Sequence, residues 1–156
     1  MQLWLIRHGA CELNASSDEE RVLTPEGLHD VEKVVGQVLR ISGEAPLALL
    51  SSPFRRALQT AEAFERPWGL KPEIAPWLVP LAGVSTALEE LRKRPESRIA
   101  LVGHMPNLGL LLAALLWGLP PREALVPRGA AAMLELTAWE PATAKLKHFI
   151  KPEEIP

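Results

Sequence analysis

The chain predicts a three-layer α/β/α fold, with a mostly parallel central sheet and helices on both faces, as a single domain over residues 1–156. Short apolar runs and amphipathic stretches alternate for most of its length, which is the pattern of strands joined by crossover helices. Two of the apolar runs end on a paired glycine and histidine, His8-Gly9 and Gly103-His104, as buried strands do when they deliver polar residues to one sheet edge. No internal repeat, low-complexity tract or linker divides the sequence.

Residues 3–6, Leu-Trp-Leu-Ile, run into Arg7-His8-Gly9 and read as a strand buried on both faces. Thr24 and Pro25 supply an N-cap and a first-turn proline, after which Leu28, Val31, Val35, Val38 and Leu39 recur at helical spacing until Gly43. Residues 46–50 read as the second strand. Ser51-Ser52-Pro53 then opens a helix with Leu58, Ala61 and Phe64 on one face and Arg55 and Arg56 in its first turn. Residues 67–80, rich in proline and tryptophan and without helical period, read as an irregular connection with one short strand. A helix over about 86–94, a strand over 98–102, a helix over 105–117 and two strands, 131–136 and 145–150, parted by a turn at Pro141, complete the pattern.

Composition narrows the function classes. With 47% hydrophobic residues the chain can bury a core without disulfide or metal staples. A formal charge of -2, from 17 basic and 19 acidic residues, offers no global field to a polyanion, so nucleic acid is not an expected partner and phosphate recognition has to be local. Cys11 is the only cysteine, can form neither an internal disulfide nor by itself a zinc site, and is read as structural in a reducing, cytoplasmic setting. The opening apolar run meets Arg7-His8 before a secretory core develops, so export is not expected. The stretch 108–117 falls well short of the roughly 20 residues of a membrane span and reads as a buried helix, leaving no membrane partner expected.

Strand ends in such a sheet form the ligand edge, and Arg7, His8, Arg56 and His104 all map there. Arginine presents a planar fork of donors to phosphate oxygens and keeps its charge at any working pH. A neutral imidazole among such arginines can attack phosphorus while its distal nitrogen is held protonated by the backbone, and His8 has the better position for that. These residues alone leave metal binding and plain anion binding open, because histidine is also the commonest metal ligand. Arg55, His29 and His148 read as solvated or packing residues. Glu12 and Asp18-Glu19-Glu20 read as a solvated loop, with a proton donor for the site as the alternative.

Arg7-His8-Gly9 after the first strand resembles the signature of the histidine phosphatase superfamily, which includes cofactor-dependent phosphoglycerate mutases and SixA-type phosphohistidine phosphatases. Leu23-Thr24-Pro25-Glu26-Gly27 resembles the family's entry into its first helix, residues 52–60, Ser-Pro-Phe-Arg-Arg-Ala-Leu-Gln-Thr, its second-arginine motif, and Val102-Gly103-His104-Met105-Pro106 its second-histidine motif. In family order these blocks span nearly the whole chain. The resemblance implies a phosphoglycerate mutase-like fold, His8 as nucleophile, Arg7 and Arg56 as phosphate clamp and His104 as a further donor to the transferring group. It also implies Asn14 as a phosphate or loop contact, and a backbone N–H of Ala130, in Pro127-Arg128-Gly129-Ala130, beside the phosphate. No metal or cofactor is called for, since arginines and His104 supply the charge that magnesium supplies in many kinases.

The pattern departs from the family at one place. Residues 75–80, Ala-Pro-Trp-Leu-Val-Pro, hold no carboxylate where many relatives acting on alcohol phosphates place the acid that protonates the leaving oxygen, and Glu73 and Glu89 are out of register. An alkoxide is about as basic as hydroxide from water, whose pKa is about 15.7, and benefits greatly from a proton donor. A phosphohistidine with a protonated distal nitrogen releases a neutral imidazole, whose conjugate acid has a pKa of roughly 6.5. The expected substrate is therefore phosphohistidine on a signalling protein, as in the SixA-type branch. The alternatives are a metal-independent phosphomonoesterase for a small metabolite, a non-catalytic phospho-ligand-binding module and, behind both, a mutase, for which the chain is short.

Overall fold

The computed structural model describes residues 1–119, 122 and 124–156. Its strands are β1 Gln2–Arg7, β2 Ala48–Ser51, β3 Glu73–Ile74, β4 Arg98–Gly103, β5 Ala131–Leu136 and β6 Ala144–Ile150. They form one sheet in the order β3-β2-β4-β1-β5-β6. The first four are mutually parallel, whereas β5 runs antiparallel to β1 and β6 antiparallel to β5. The sheet is thus mixed, though mostly parallel. The short link from β5 to β6 explains why that pair is antiparallel, because a parallel pair needs a crossover of a dozen or more residues.

Alternation along the strands splits the core into two layers. Trp4, Ile6, Ala100 and Val102 face α1 Pro25–Ile41 and α2 Arg55–Trp68, packing with Val31, Val34, Val38, Ala57 and Phe64. Leu3, Leu5, Ile99 and Leu101 face α3 Val84–Arg92 and α4 Asn107–Trp117, packing with Ala87, Leu91, Leu108, Leu111 and Leu115. Burying both faces of β1 and β4 is what makes those strands read as continuous apolar runs. The expected buried helix is α4. Among the described residues no helix is long and apolar enough to cross a membrane.

The expected irregular connection starts late, because α2 continues through Pro67 to Trp68 and closes on Gly69 at φ 66. Trp68 extends the stripe of Ala61 and Phe64 and stacks on Phe64 with ring centroids 4.5 Å apart. Proline removes one helical N–H bond, and in the last turn this burial outweighs it. Beyond it lie β3 and a 3-10 turn, Pro76–Leu78. Other predicted boundaries, such as those of α3 and α4, shift by two residues.

Register then aligns the motifs. Arg7 on β1 pairs with Gly103 on β4, so His8 and His104 leave adjacent strands at one level. Ser51 on β2 pairs with Val102, which brings Ser52 and the start of α2 to the same edge.

Candidate active site

Two glycines let the loop after β1 lie on the first turn of α1. A Cβ built at Gly27 would collide with the Ala10 carbonyl oxygen, and one at Gly9 would stand 2.8 Å from Val31 Cγ2. The contact is sealed by Thr24, whose N–H donates to Ala10 O at 3.0 Å and whose Oγ1 accepts from Gly27 N at 2.9 Å as the helix cap. The Arg-His-Gly and Thr-Pro-Glu-Gly blocks are therefore two sides of one packed contact.

His8 Nδ1 lies 2.7 Å from Gly9 O. A carbonyl only accepts, so Nδ1 carries the proton and Nε2 keeps its lone pair. Burial, followed by the positive charge of Arg56, Arg7 and Arg128, pushes the His8 pKa down to about 4, against the bond to Gly9, so the ring is neutral at pH 7. Gly9 N donates to Thr60 Oγ1 at 3.1 Å, and Thr60 Oγ1 donates to Arg56 O at 2.8 Å, which ties the histidine loop to α2.

The His104 ring lies 5.0 Å from that of His8, centroid to centroid. Its Nε2 is 2.7 Å from Ser52 Oγ, and that hydroxyl accepts from Phe54 N at 3.2 Å. The hydroxyl proton is then free for His104 Nε2, and in the tautomer that accepts it the ring proton lies on Nδ1. Nδ1 is buried and has no partner among the described residues. Burial, then His8 and Arg56, lower the His104 pKa to about 3, so this ring too is neutral and can donate from Nδ1.

Arg7 Nη1 donates to Val126 O at 2.9 Å, while its buried Nε has no partner among the described residues. Burial and Arg128 lower its pKa, yet a guanidinium stays charged in proteins. Arg56, only 5% exposed, donates from Nη1 to Asp18 O at 2.7 Å and from Nη2 to Asp18 Oδ2 at 3.2 Å. Asp18 also accepts from Arg21 Nη1 at 2.9 Å. The Arg21 bond, aided by Arg56, holds the Asp18 carboxyl below the usual carboxylate range, so it is ionised at neutral pH.

Arg7, His8, Arg56 and His104 line one cavity of about 370 Å³, together with Asp18, Arg21, Arg128, Cys11, Leu13, Pro80 and Met105. Pro80 is placed by Asn107, whose Nδ2 donates to Trp77 O and Val79 O, both at 3.3 Å. Asn14 is exposed and does not line the cavity. Ala130 is buried behind it, with its N–H donated to Pro127 O at 3.0 Å, so that group is spent on a turn. Arg55 and His29 are exposed, His148 sits on β6, and Glu12, Glu19 and Glu20 are exposed and not among the residues that line the cavity. Cys11 is buried and accepts from Arg21 Nη2 at 3.3 Å.

Sequence reasoning passed over Arg21, Arg128 and Ser52. Arg128 belongs to the quoted Pro127-Arg128-Gly129 run, and Gly129 N donates to His8 O at 2.9 Å, a link between segments that no spacing reveals. Among the described residues no group of three or more His, Cys, Asp or Glu side chains could hold a metal ion. The arrangement is an anion site with two neutral imidazoles, one aimed as an electron-pair donor and one as a hydrogen-bond donor.

The model described as the histidine phosphatase superfamily (branch 1) matches residues 3–79. The phosphohistidine phosphatase SixA of Escherichia coli K12 is 32% identical over 126 residues, 78% of each chain. An uncharacterised protein of Picosynechococcus sp. is 34% identical over 124 residues, 76% of this chain and 74% of its own. Among solved structures, a protein histidine phosphatase SixA complexed with tungstate matches with a TM-score of 0.85 at 26% identity, covering 100% of both chains. An α/β sheet with an arginine-histidine cavity at its strand ends is thus a phosphoric-group hydrolase. The chain belongs to the histidine phosphatase superfamily, and within it is similar to the SixA-type branch.

Proposed function

We propose that the chain hydrolyses phosphohistidine carried by a protein partner, through a phosphoryl intermediate on His8. His8 Nε2 attacks phosphorus in line, the P–N bond of the substrate breaks with its electron pair going to the leaving ring, and water then releases phosphate from His8. Arg7 and Arg56 match the charge of the phosphoryl oxygens, and His104 Nδ1–H donates to the oxygen on which charge grows. Asn14 and Ala130 have no part in this reading.

One observation carries it: among the described residues the cavity holds no group able to protonate a basic leaving oxygen. Its single carboxylate among the described residues, Asp18, is kept ionised by Arg21 and Arg56, and both imidazoles are neutral at pH 7. Such a site suits a leaving group that departs neutral, as an imidazole does, and poorly suits an alkoxide. The similarity to phosphohistidine phosphatase SixA supports the same substrate class, and the tungstate in the neighbouring SixA structure is a tetrahedral oxyanion of the kind such arginines grip.

The test is a panel of kcat/KM values for a histidine-phosphorylated protein, an alkyl phosphate and p-nitrophenyl phosphate. The phosphohistidine substrate is expected to exceed the alkyl ester by a factor of about 100 or more, the usual size of a general-acid contribution. Comparable rates on the two would favour the small-metabolite phosphomonoesterase. Turnover of none would favour a binding module.

A further inference from the structure

Among the described residues Asp18 is the only carboxylate on the cavity wall, and its place is built. Oδ1 accepts from Arg21 Nη1 at 2.9 Å, Oδ2 from Arg56 Nη2 at 3.2 Å, and its backbone oxygen from Arg56 Nη1 at 2.7 Å. The side chain nevertheless stays 53% exposed, so acceptor capacity remains toward the mouth: an ionised carboxylate offers about four lone-pair sites. Arg56 has about five N–H donors, of which Asp18 uses two. The remainder can hold a phosphoryl oxygen without expelling the aspartate. An anion retained beside an anion site is costly unless it serves the bound state, which calls for a positive partner on the substrate.

We propose that Asp18 determines leaving-group specificity, its carboxylate accepting a hydrogen bond from the distal ring N–H of a phosphohistidine whose phosphoryl group lies among Arg7, Arg56, His8 and His104. The inference rests on the phosphohistidine reading and adds the residue that recognises the ring. With phosphorus on one ring nitrogen and a proton on the other, the ring is cationic. The bond from His8 Nε2 to phosphorus forms, the P–N bond breaks, its electron pair stays on the leaving nitrogen, and the distal proton never moves. The product is neutral imidazole. Asp18 favours the protonated ring, the form able to depart this way, and it opposes departure of a phenolate or alkoxide, on which negative charge grows beside it.

The charged groups facing Asp18 are Arg21 from its own loop and Arg56 from α2, with Arg7 and Arg128 across the cavity. His8 and His104 on the floor are neutral at pH 7, so neither replaces Asp18 as an acceptor of the ring proton by charge.

Asp18→Asn keeps one oxygen that can still accept from Arg56, and removes the charge together with the second acceptor, the one that Arg21 uses. Its kcat/KM for a histidine-phosphorylated protein is expected to fall at least about tenfold, the worth of one hydrogen bond to a charged group, with the alkaline limb of the pH profile moved to lower pH. Hydrolysis of p-nitrophenyl phosphate is expected to rise, and Asp18→Glu to recover the phosphohistidine preference in part. Melting curves check that both variants fold. An equal fall on both substrates would assign Asp18 to placing Arg56 and overturn the proposal, and a rise on both would reduce it to anion repulsion and overturn it as well. Failure of the underlying reading looks different: the wild type would then cleave the aryl ester and leave phosphohistidine intact.

Discussion

In Ser52→Ala the His104 ring loses the hydroxyl that sets its tautomer. Ser52 is fully buried and His104 is 2% exposed, and their bond is 2.7 Å long, so water cannot easily replace the lost partner. Leaving a buried acceptor unmet costs about 1–3 kcal/mol, and the Phe54 N–H loses its acceptor too. A destabilisation of about 2–3 kcal/mol in urea denaturation follows. The kinetic effect is separate. Without the hydroxyl the neutral ring can carry its proton on either nitrogen, and the Nδ1–H donor is present only part of the time. Removing a donor to a developing oxyanion costs roughly 100- to 1,000-fold in kcat, so weakening this one should lower kcat roughly 10- to 100-fold with a smaller change in KM, because the bond strengthens only in the transition state. Single-turnover rates with p-nitrophenyl phosphate, compared with denaturation midpoints, measure both. A folded Ser52→Ala protein with kcat close to that of the wild type would refute the tautomer argument.

Further outcomes are expected. Gly27→Ala drives a methyl into the Ala10 carbonyl; overpacking of this kind costs about 1–3 kcal/mol, and because it displaces the loop of His8, turnover should fall with the denaturation midpoint. His8 has its pKa lowered from 6.5 to about 4, so the unfolded chain takes up a proton before the folded one does. Stability is therefore full above about pH 6.5 and is lost as pH falls toward 4, by about 3 kcal/mol for this ring. Denaturation at pH 7 and about pH 4.5 should show a smaller loss in His8→Asn than in the wild type. A chelator should leave the steady-state rate unchanged, since arginines and His104 carry the charge compensation.

What the sequence disclosed follows from burial. β1 and β4 are covered on both faces, so they stand out as apolar runs, and the polar residues that end them, His8 and His104, mark the ligand edge without ambiguity. Arg56 was legible because it lies in the first turn of an amphipathic helix entered through Ser52. β3 is the short strand expected within residues 67–80, but its bounds were not legible, because two exposed residues, Glu73 and Ile74, carry no periodicity, and the end of α2 was hidden by Pro67, whose local cost is overcome by the distant packing of Trp68. Asp18 looked like part of a solvated charged loop, and Arg21 beside it carried no signal of its own. Their role comes from the loop folding back, with Leu23 N donating to Gln59 Oε1 at 2.7 Å and Arg21 Nε to Glu12 O at 2.8 Å, which are contacts between positions that share no local pattern. Arg128 reaches the cavity for the same kind of reason, through Gly129 and the His8 carbonyl.

The central claim is phosphoryl transfer onto His8, and intact-mass detection after an alkaline quench reads it directly, since phosphohistidine is lost in acid. Mixed with a histidine-phosphorylated protein, the wild type should gain the mass of one phosphoryl group, mapped to His8, and His8→Ala should gain none. An adduct of the same mass on His8→Ala would contradict the account.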